Sequence, residues 1–405
     1  MEQKSVAVIG GGAAGFFGAI HAAEMHPGVA IHIFEKSNSF LSKVKVSGGG
    51  RCNVTNACTD PQELVQFYPR GKKELLGPFY HFGPQQTIEW FASRKIKLVA
   101  EADNRMFPYT NSSQTIIDCF LSAAKSNGIH LHTHHTLKKL SFADGRWQLT
   151  FGDTVFHADA VLMAGGSSAA LWKLMQDLGH TIIPPVPSLF TFNIRDPRLR
   201  ELMGVSLSMV ECRIGGNKFQ SEGPLLITHW GLSGPAILKL SAFAARWLSE
   251  QQYTFELIIN FIPALKLTTC FEALLAIKKE HPKKIIQNTG FYSIPSRLFK
   301  RLCEVAGIND TVIWADIPNE KLQRLSAILT ESSFQVNGKS TFKDEFVTCG
   351  GIKLSEVDFK TMQSKLHPGL FFAGEILDID AVTGGFNFQA AWTTAYIAAE
   401  HIISS

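Results

Sequence analysis

The most constraining stretch lies at the start of the chain. Val6-Ala7-Val8-Ile9 is an apolar run that enters Gly10-Gly11-Gly12-Ala13-Ala14-Gly15 without a break. The run reads as a buried strand, the glycines as a tight turn, and residues 13–26 as a helix of small side chains. A second apolar strand, Ile31-His32-Ile33-Phe34, ends on Glu35. Strand, GxGxxG turn, helix, strand and acid in this order form a dinucleotide fingerprint in its working context. Gly10 permits the turn, Gly12 lets a pyrophosphate approach the backbone, and Gly15 lets the helix lie close to the strand. The free N–H groups of Ala13, Ala14 and Gly15 and the helix dipole would face the phosphates. Glu35 lies where a carboxylate can accept both ribose hydroxyls, with Lys36 beside it.

The chain has 405 residues, 45% apolar and 18% charged, which suits two or three globular domains with ample core. The apolar N-terminus looks superficially like a signal peptide. Its glycines suit a nucleotide turn better, so a cytoplasmic protein with no membrane span is expected. Seven cysteines at irregular spacing, without CxxC, favour neither a disulfide framework nor a zinc site, and the 14 histidines show no metal spacing. No metal is expected. Net charge is only +4, yet residues 264–301 carry eight Lys/Arg against Glu272 and Glu280. Such a basic helical stretch is a candidate phosphate-binding face; a solvated helix pair is the plain alternative.

Further along, Lys43 precedes Ser47-Gly48-Gly49-Gly50-Arg51-Cys52-Asn53. Three glycines between polar residues make a backbone cradle for an anion, with Arg51 placed to neutralise a phosphate. Helices are predicted over 85–94 and 113–126, strands over 96–101 and 129–134, and an aromatic loop over 104–109. Strands at 136–142, 147–151 and 155–157, joined by Ala143-Asp144-Gly145 and Gly152-Asp153, read as a meander. Leu137 opens it. Ala160-Val161-Leu162-Met163-Ala164-Gly165 is a buried strand that lacks GxGxxG, so no second, nicotinamide-holding fold is read there. Pro184-Pro185-Val186-Pro187 marks a boundary.

Strands are predicted over 190–194, 205–214 and 255–259, helices over 264–332 and returning strands over 334–346. Within this region Ser233 is the expected N-cap, and Pro235 the first-turn residue, of a helix after Thr228-His229-Trp230-Gly231-Leu232. The chain then returns through Val347-Thr348-Cys349-Gly350-Gly351-Ile352. The strand Leu370-Phe371-Phe372 runs into Gly374-Glu375, Asp378 and Asp380. An exposed Gly384-Gly385-Phe386-Asn387-Phe388-Gln389 opens a final helix over 390–403. Paired glycines at a helix start place N–H groups and a dipole where the N1–C2=O edge of a reduced flavin would gather charge.

The segments GGGAAG, SGGGRCNVTN, THWGLSGPA, VTCGGI and LFFAGEILDIDAVTGGFNFQAAW, in this order over the whole length, resemble the YhiN/BaiN-like, aminoacetone oxidase-like family of bacterial FAD-dependent oxidoreductases. The resemblance implies an α/β fold with a Rossmann-like FAD domain of the two-dinucleotide-binding flavoprotein type. An inserted β domain and a helical domain would interrupt it. The expected boundaries are 1–187 with 345–405, 188–262 with 333–344, and 263–332. The resemblance also sets Ser47, Gly49, Arg51, Cys52 and Asn53, and Gly374, Glu375, Asp380, Gly384, Gly385, Asn387 and Gln389, around the FAD. Gly10, Gly12, Glu35, Lys36, Lys43, Leu137, Ala164 and Gly165 complete the expected cofactor set. Cys349 departs from the pattern, which favours a small residue such as alanine there.

Activities in such a family range from amine-type oxidases to reductases of unsaturated small molecules and of a uridine in 23S ribosomal RNA. For the last, reduced flavin would deliver hydride to C6 of a flipped-out uracil while a protein acid protonates C5. Cys349, His229 and Tyr109 are the candidate acids, NAD(P)H the transient electron donor, and 264–301 the RNA contact. The alternatives are an oxidase or reductase of a small metabolite and a non-catalytic FAD-bound RNA- or protein-binding factor. A monomer is expected.

Overall fold

The computed structural model describes residues 3–340 and 347–403. The chain forms two compact units, Met1–Val186 with Val347–Ser405, and Pro187–Phe346. The sequence suggested three. The basic helices do not stand apart, because they share one core with the inserted strands. Leu257 and Ile259 from the strands and Leu274, Leu298, Leu302 and Leu325 from the helices belong to the same buried cluster. Residues 341–346, which hold the rest of the predicted returning strands and one expected domain seam, lie outside the described residues.

The first unit is built on a seven-stranded sheet. Strand β1 (Ser5–Ile9) lies in its interior and is buried along its whole length. It pairs in parallel with β2 (Ala30–Phe34) on one side and with Ala160–Met163 on the other. Strands His130–His132 and Leu370–Phe372 extend the parallel array outward. Buried on both faces, β1 needs apolar residues at every position rather than at alternate ones, as its sequence has. Helix α1 (Ala13–Met25) follows the turn and packs on the C-terminal helix Phe386–His401. Small side chains make that approach possible: a Cβ at Gly18 would lie 3.5 Å from the Cβ of Ala395. Phe17, buried between the helices, meets Trp392 at 5.1 Å and Trp90 at 4.8 Å between ring centroids.

The predicted meander is present as Lys139–Ala143, Arg146–Phe151 and Thr154–Ala158. Asp144 and Gly145 both take positive φ, as a tight hairpin turn requires. The expected aromatic loop at 104–109 is instead largely a strand, Arg105–Pro108. It is the centre of a three-stranded sheet with Thr55–Asn56 and Leu98–Ala100. Burial of Met106 and Phe107 outweighs the turn-like Asn104 and Pro108 that end it.

The second unit carries a seven-stranded antiparallel sheet, including Gln220–Ile227, which the sequence reading passed over. Helices Leu267–Glu280, Ser296–Val305 and Asn319–Thr330 contribute to the shared core. Helix Pro235–Phe243 has Pro235 in its first turn as expected, but its N-cap is Gly234, not Ser233. Gly234 has φ +94°, and a Cβ there would lie 2.9 Å from the Pro224 carbonyl oxygen, so no side chain fits. Among the described residues no helix is long and apolar enough to cross a membrane.

Candidate functional site

Each fingerprint glycine of the first unit has a separate steric reason. Gly10 has φ +113°, and a Cβ there would lie 2.5 Å from the Ala164 carbonyl oxygen. A Cβ on Gly15 would lie 1.9 Å from the Gly10 carbonyl oxygen. Gly12 is different: nothing lies within 4 Å of its built Cβ. It caps α1 without any side-chain hydrogen bond, so the helix's first N–H groups are not consumed by a capping side chain. The space and the donors are those an extended diphosphate needs.

Glu35 lies beside this turn. Its Oε2 accepts the Gly11 N–H at 2.9 Å, and its Oε1 accepts the Ser37 N–H at 2.9 Å and the Ser37 hydroxyl at 2.8 Å. A carboxylate has about four acceptor positions. The two N–H groups take two of these, and the Ser37 hydroxyl has the Ser39 carbonyl at 2.8 Å as its other acceptor, so acceptor positions remain for ribose hydroxyls. Ser37 was not singled out from the sequence, although the Glu-x-Ser spacing is the signal for such a local tie. A cleft at the C-terminal ends of the parallel strands is lined by Gly10, Glu35, Lys36, Leu137 and Gly165, with Ser168 on its wall. Five predicted cofactor contacts from four separate stretches of chain thus meet in one concavity, where open α/β sheets bind ligands.

The second glycine run also faces open space. Helix Ser42–Gly50 is broken at Ser47 (ψ 146°), and Gly48, Gly49 and Gly50 follow with φ +56°, +67° and +83°. Nothing lies within 4 Å of a Cβ built on Gly49 or Gly50. Cys52 is buried at φ +61°, and burial pushes its thiol up to about 12, which removes thiolate chemistry at neutral pH. Arg51 does not stand free for a phosphate. Its Nη1 is 2.7 Å from Glu101 Oε1, and its guanidinium lies 4.0 Å over the Phe107 ring.

The two ends of the chain are locked together here. With its amide oriented to satisfy both neighbours, the Asn53 oxygen accepts the Gly385 N–H at 2.9 Å and its nitrogen donates to the Thr55 carbonyl at 3.1 Å. Asn56 Nδ2 donates to the Gly384 carbonyl at 2.9 Å. A Cβ on Gly385 would lie 2.3 Å from the Thr55 carbonyl oxygen. Gly374 (φ +72°) donates its N–H to Thr394 Oγ1 at 3.0 Å, and a Cβ there would be 3.1 Å from that of Ala14. Lys43 Nζ reaches Glu375 Oε2 at 2.7 Å beside Gly166.

The final helix begins at Phe386, earlier than expected, and the 386–389 stretch is not exposed. Phe386 stacks on Phe67 at 4.2 Å. Gln389 is wholly buried; its Oε1 accepts the Thr55 and Thr87 hydroxyls at 2.6 and 3.0 Å, and its Nε2 donates to Thr393 at 3.1 Å. Asn387 closes on both backbone groups of Ala381. Asp380 is buried and paired with Arg70, whose Nε lies 2.5 Å from Oδ1. The side chains of Gln389, Asn387 and Asp380 thus all have protein partners. With the Gly385 N–H and the Gly384 carbonyl already taken by Asn53 and Asn56, what this corner offers a cofactor is the start of a helix without a side-chain cap.

The three candidate acids differ in burial and in the unit that carries them. Cys349 is fully buried in strand Val347–Ile352 of the first unit. Tyr109 is 70% exposed on the first unit, with Lys97 Nζ 5.5 Å from its ring centroid. His229 is exposed on the second unit.

The family described as HI0933-like protein Rossmann domain matches residues 4–401. The chain is 27% identical to a ribosomal RNA dihydrouridine synthase of Escherichia coli K12, covering 100% of this chain and 99% of that protein. It is 24% identical to a 3-dehydro-bile acid delta(4,6)-reductase of Clostridium scindens, covering 98% of each. Its fold is similar to that of a 3-ketosteroid delta1-dehydrogenase from Sterolibacterium denitrificans (TM-score 0.50, 11% identity, 98% of this chain and 99% of that one). The open Gly12 turn, the Glu35 cleft and the exposed glycine cradle fit an FAD. With a match spanning nearly the whole length, the chain belongs to the HI0933-like family of FAD-dependent oxidoreductases.

Proposed function

We propose that this oxidoreductase is a reductase that takes electrons from NAD(P)H and reduces one uridine of 23S ribosomal RNA to dihydrouridine. FAD supplies the two-electron chemistry. The chain's own residues would hold it: the N–H groups at Gly12 to Gly15 would face the pyrophosphate, Glu35 would accept from the ribose, and the backbone near Gly384 and the start of the final helix would serve the ring. The observation that carries the substrate is end-to-end similarity to a protein named for that reaction, together with the basic surplus on residues 264–301. Lys266, Lys279, Lys283, Lys284 and Lys300 in that segment are exposed. With Cys349 buried, His229 and Tyr109 remain as groups that could protonate the base.

A second reading is reduction of an unsaturated small molecule. End-to-end similarity to a bile acid reductase favours it. The two separate in one experiment. Large-subunit RNA from a deletion strain is digested and weighed, and one uridine is expected to lack the two-hydrogen gain present in the parent. Unchanged RNA would end the first reading and leave the second.

A further inference from the structure

The second unit exposes apolar side chains that its core does not need. Trp230 is 61% exposed, Met209 49%, Met203 48% and Leu226 38%. They are neighbours through the backbone. Leu226 pairs with Ser206, and a bulge between Leu207 and Val210 turns Met209 outward on the same strand. Gly204, directly after Met203, donates its N–H to Ile227 at 2.9 Å. A tight turn, closed by Thr228 N–H to the Gly231 carbonyl at 2.8 Å, projects His229 and Trp230 beyond the strand ends. The Trp230 carbonyl accepts the Ile194 N–H at 2.9 Å, which brings the backbone of Arg195, the next residue, to this end of the sheet.

Cations border this patch. Helix Ser296–Val305 is tied to the segment that follows Arg195: Arg301 Nη1 donates to the Pro197 carbonyl at 2.8 Å, and Arg297 donates to the Glu201 carbonyl. Arg301 also offsets Glu201 at 3.8 Å and Glu304 at 3.1 Å. Among the described residues, exposed Arg195, Arg200 and Lys300 have no carboxylate at ion-pair distance. The acids Glu211 and Glu222 oppose each other farther along the strand pair.

Resting on the ribosomal RNA reading, we infer that this face is a docking surface for single-stranded RNA. A base stacks on Trp230, and Arg195, Arg200 and Lys300 hold the neighbouring phosphates. An exposed indole and unpaired cations on neighbouring segments suit this ligand, since every base has a face to stack and every linkage a charge to neutralise. An acidic peptide would meet the cations but leave the indole and methionines without a matching surface.

The test uses the full-length FAD-loaded protein and a fluorescent oligouridylate, with binding read at several salt concentrations. Trp230→Ala is expected to weaken binding about tenfold or more, Trp230→Phe to keep most of it, and Arg195→Ala to lower the salt slope by about one. Flavin absorbance and circular dichroism, unchanged in each exposed-site variant, show that the fold survives. Binding undiminished in Trp230→Ala overturns this surface while leaving the RNA reading intact. So does a concentration-dependent dimer that Trp230→Ala abolishes, which would assign the patch to a second copy. A wild-type protein that binds neither oligouridylate nor ribosomal RNA at low salt, and reduces an enone, removes the RNA reading itself.

Discussion

At the scale of single residues, glycines with the same letter do different work. Gly10→Ala forces a side chain onto a backbone at φ +113° and against the Ala164 carbonyl, and is expected to cost about 3 kcal/mol of stability. Thermal unfolding measures this. The Cβ of Gly12→Val meets no protein atom within 4 Å, so the melting temperature of the apoprotein should stay near wild type while bound FAD is lost. The ratio of flavin absorbance to protein absorbance reads the second effect, and an FAD-replete Gly12→Val protein would contradict it. Gln389→Ala acts oppositely to what its position in the motif suggests. It leaves the buried Thr55 hydroxyl without its acceptor and Thr87 with only the longer bond to the Gly83 carbonyl at 3.3 Å, so it should lower stability by about 2 kcal/mol, through unpaired polar groups rather than a lost ligand contact. The motif letters around 380–389 announced a cofactor corner, but could not say which side chains face inward. That depends on Thr55, Thr87 and Arg70, all distant in sequence.

At the scale of elements, the edge of the parallel sheet carries a pH liability. His32 on β2 stacks on His130 at 4.4 Å, and its Nδ1 lies 3.0 Å from His132 Nε2. Phe34 stacks on His132 at 4.6 Å. Burial, then the neighbouring imidazoles of His130 and His132, depresses the His32 pKa from 6.5 to about 4. His132 is depressed as well, by burial first and then by His135 and His130. The folded form therefore binds fewer protons than the unfolded chain between these values. The associated stability is present above pH 6.5 and is lost as pH falls toward 4. Phe34 and His135 line the cleft below Glu35, so acidification should also loosen the adenosine end of the cofactor. Unfolding between pH 7 and 5, followed with FAD fluorescence, should show earlier release in wild type than in His32→Gln. Parallel curves for the two proteins would remove this account. Sequence alternation at 130–135 shows a strand edge, but the stacking depends on β2 pairing in register with His130–His132.

For the whole molecule, the second unit is an insertion whose two ends return to one place. Strand Ile182–Ser188 pairs with Val347–Ile352, and a Cβ on Gly350 would lie 2.6 Å from the Cα of Pro185. The second unit has its own buried core. Replacing residues 188–346 by a short linker should therefore leave a folded, yellow protein, checked by its visible spectrum. The same protein should have lost the steep salt-dependent RNA retention expected of the whole chain. A colourless deletion product would show that the first unit does not hold FAD by itself.

The order of elements in the first unit was legible because each is a local pattern: an unbroken apolar run, a glycine turn, a small-residue helix, an Asp-Gly hairpin. The same holds for the discontinuous FAD unit, whose glycine motifs at 10–15, 47–53 and 374–385 are each short enough to read without partners. Tertiary structure alone decided three things. It merged the basic helices with the inserted sheet, because their apolar faces fill one core. It turned Arg51, Asp380 and Gln389 toward Glu101, Arg70, Thr55 and Thr87. And it buried Cys349 while leaving Trp230 outside. A side chain's partner is set by which distant backbone arrives beside it, and neither composition nor spacing carries that information.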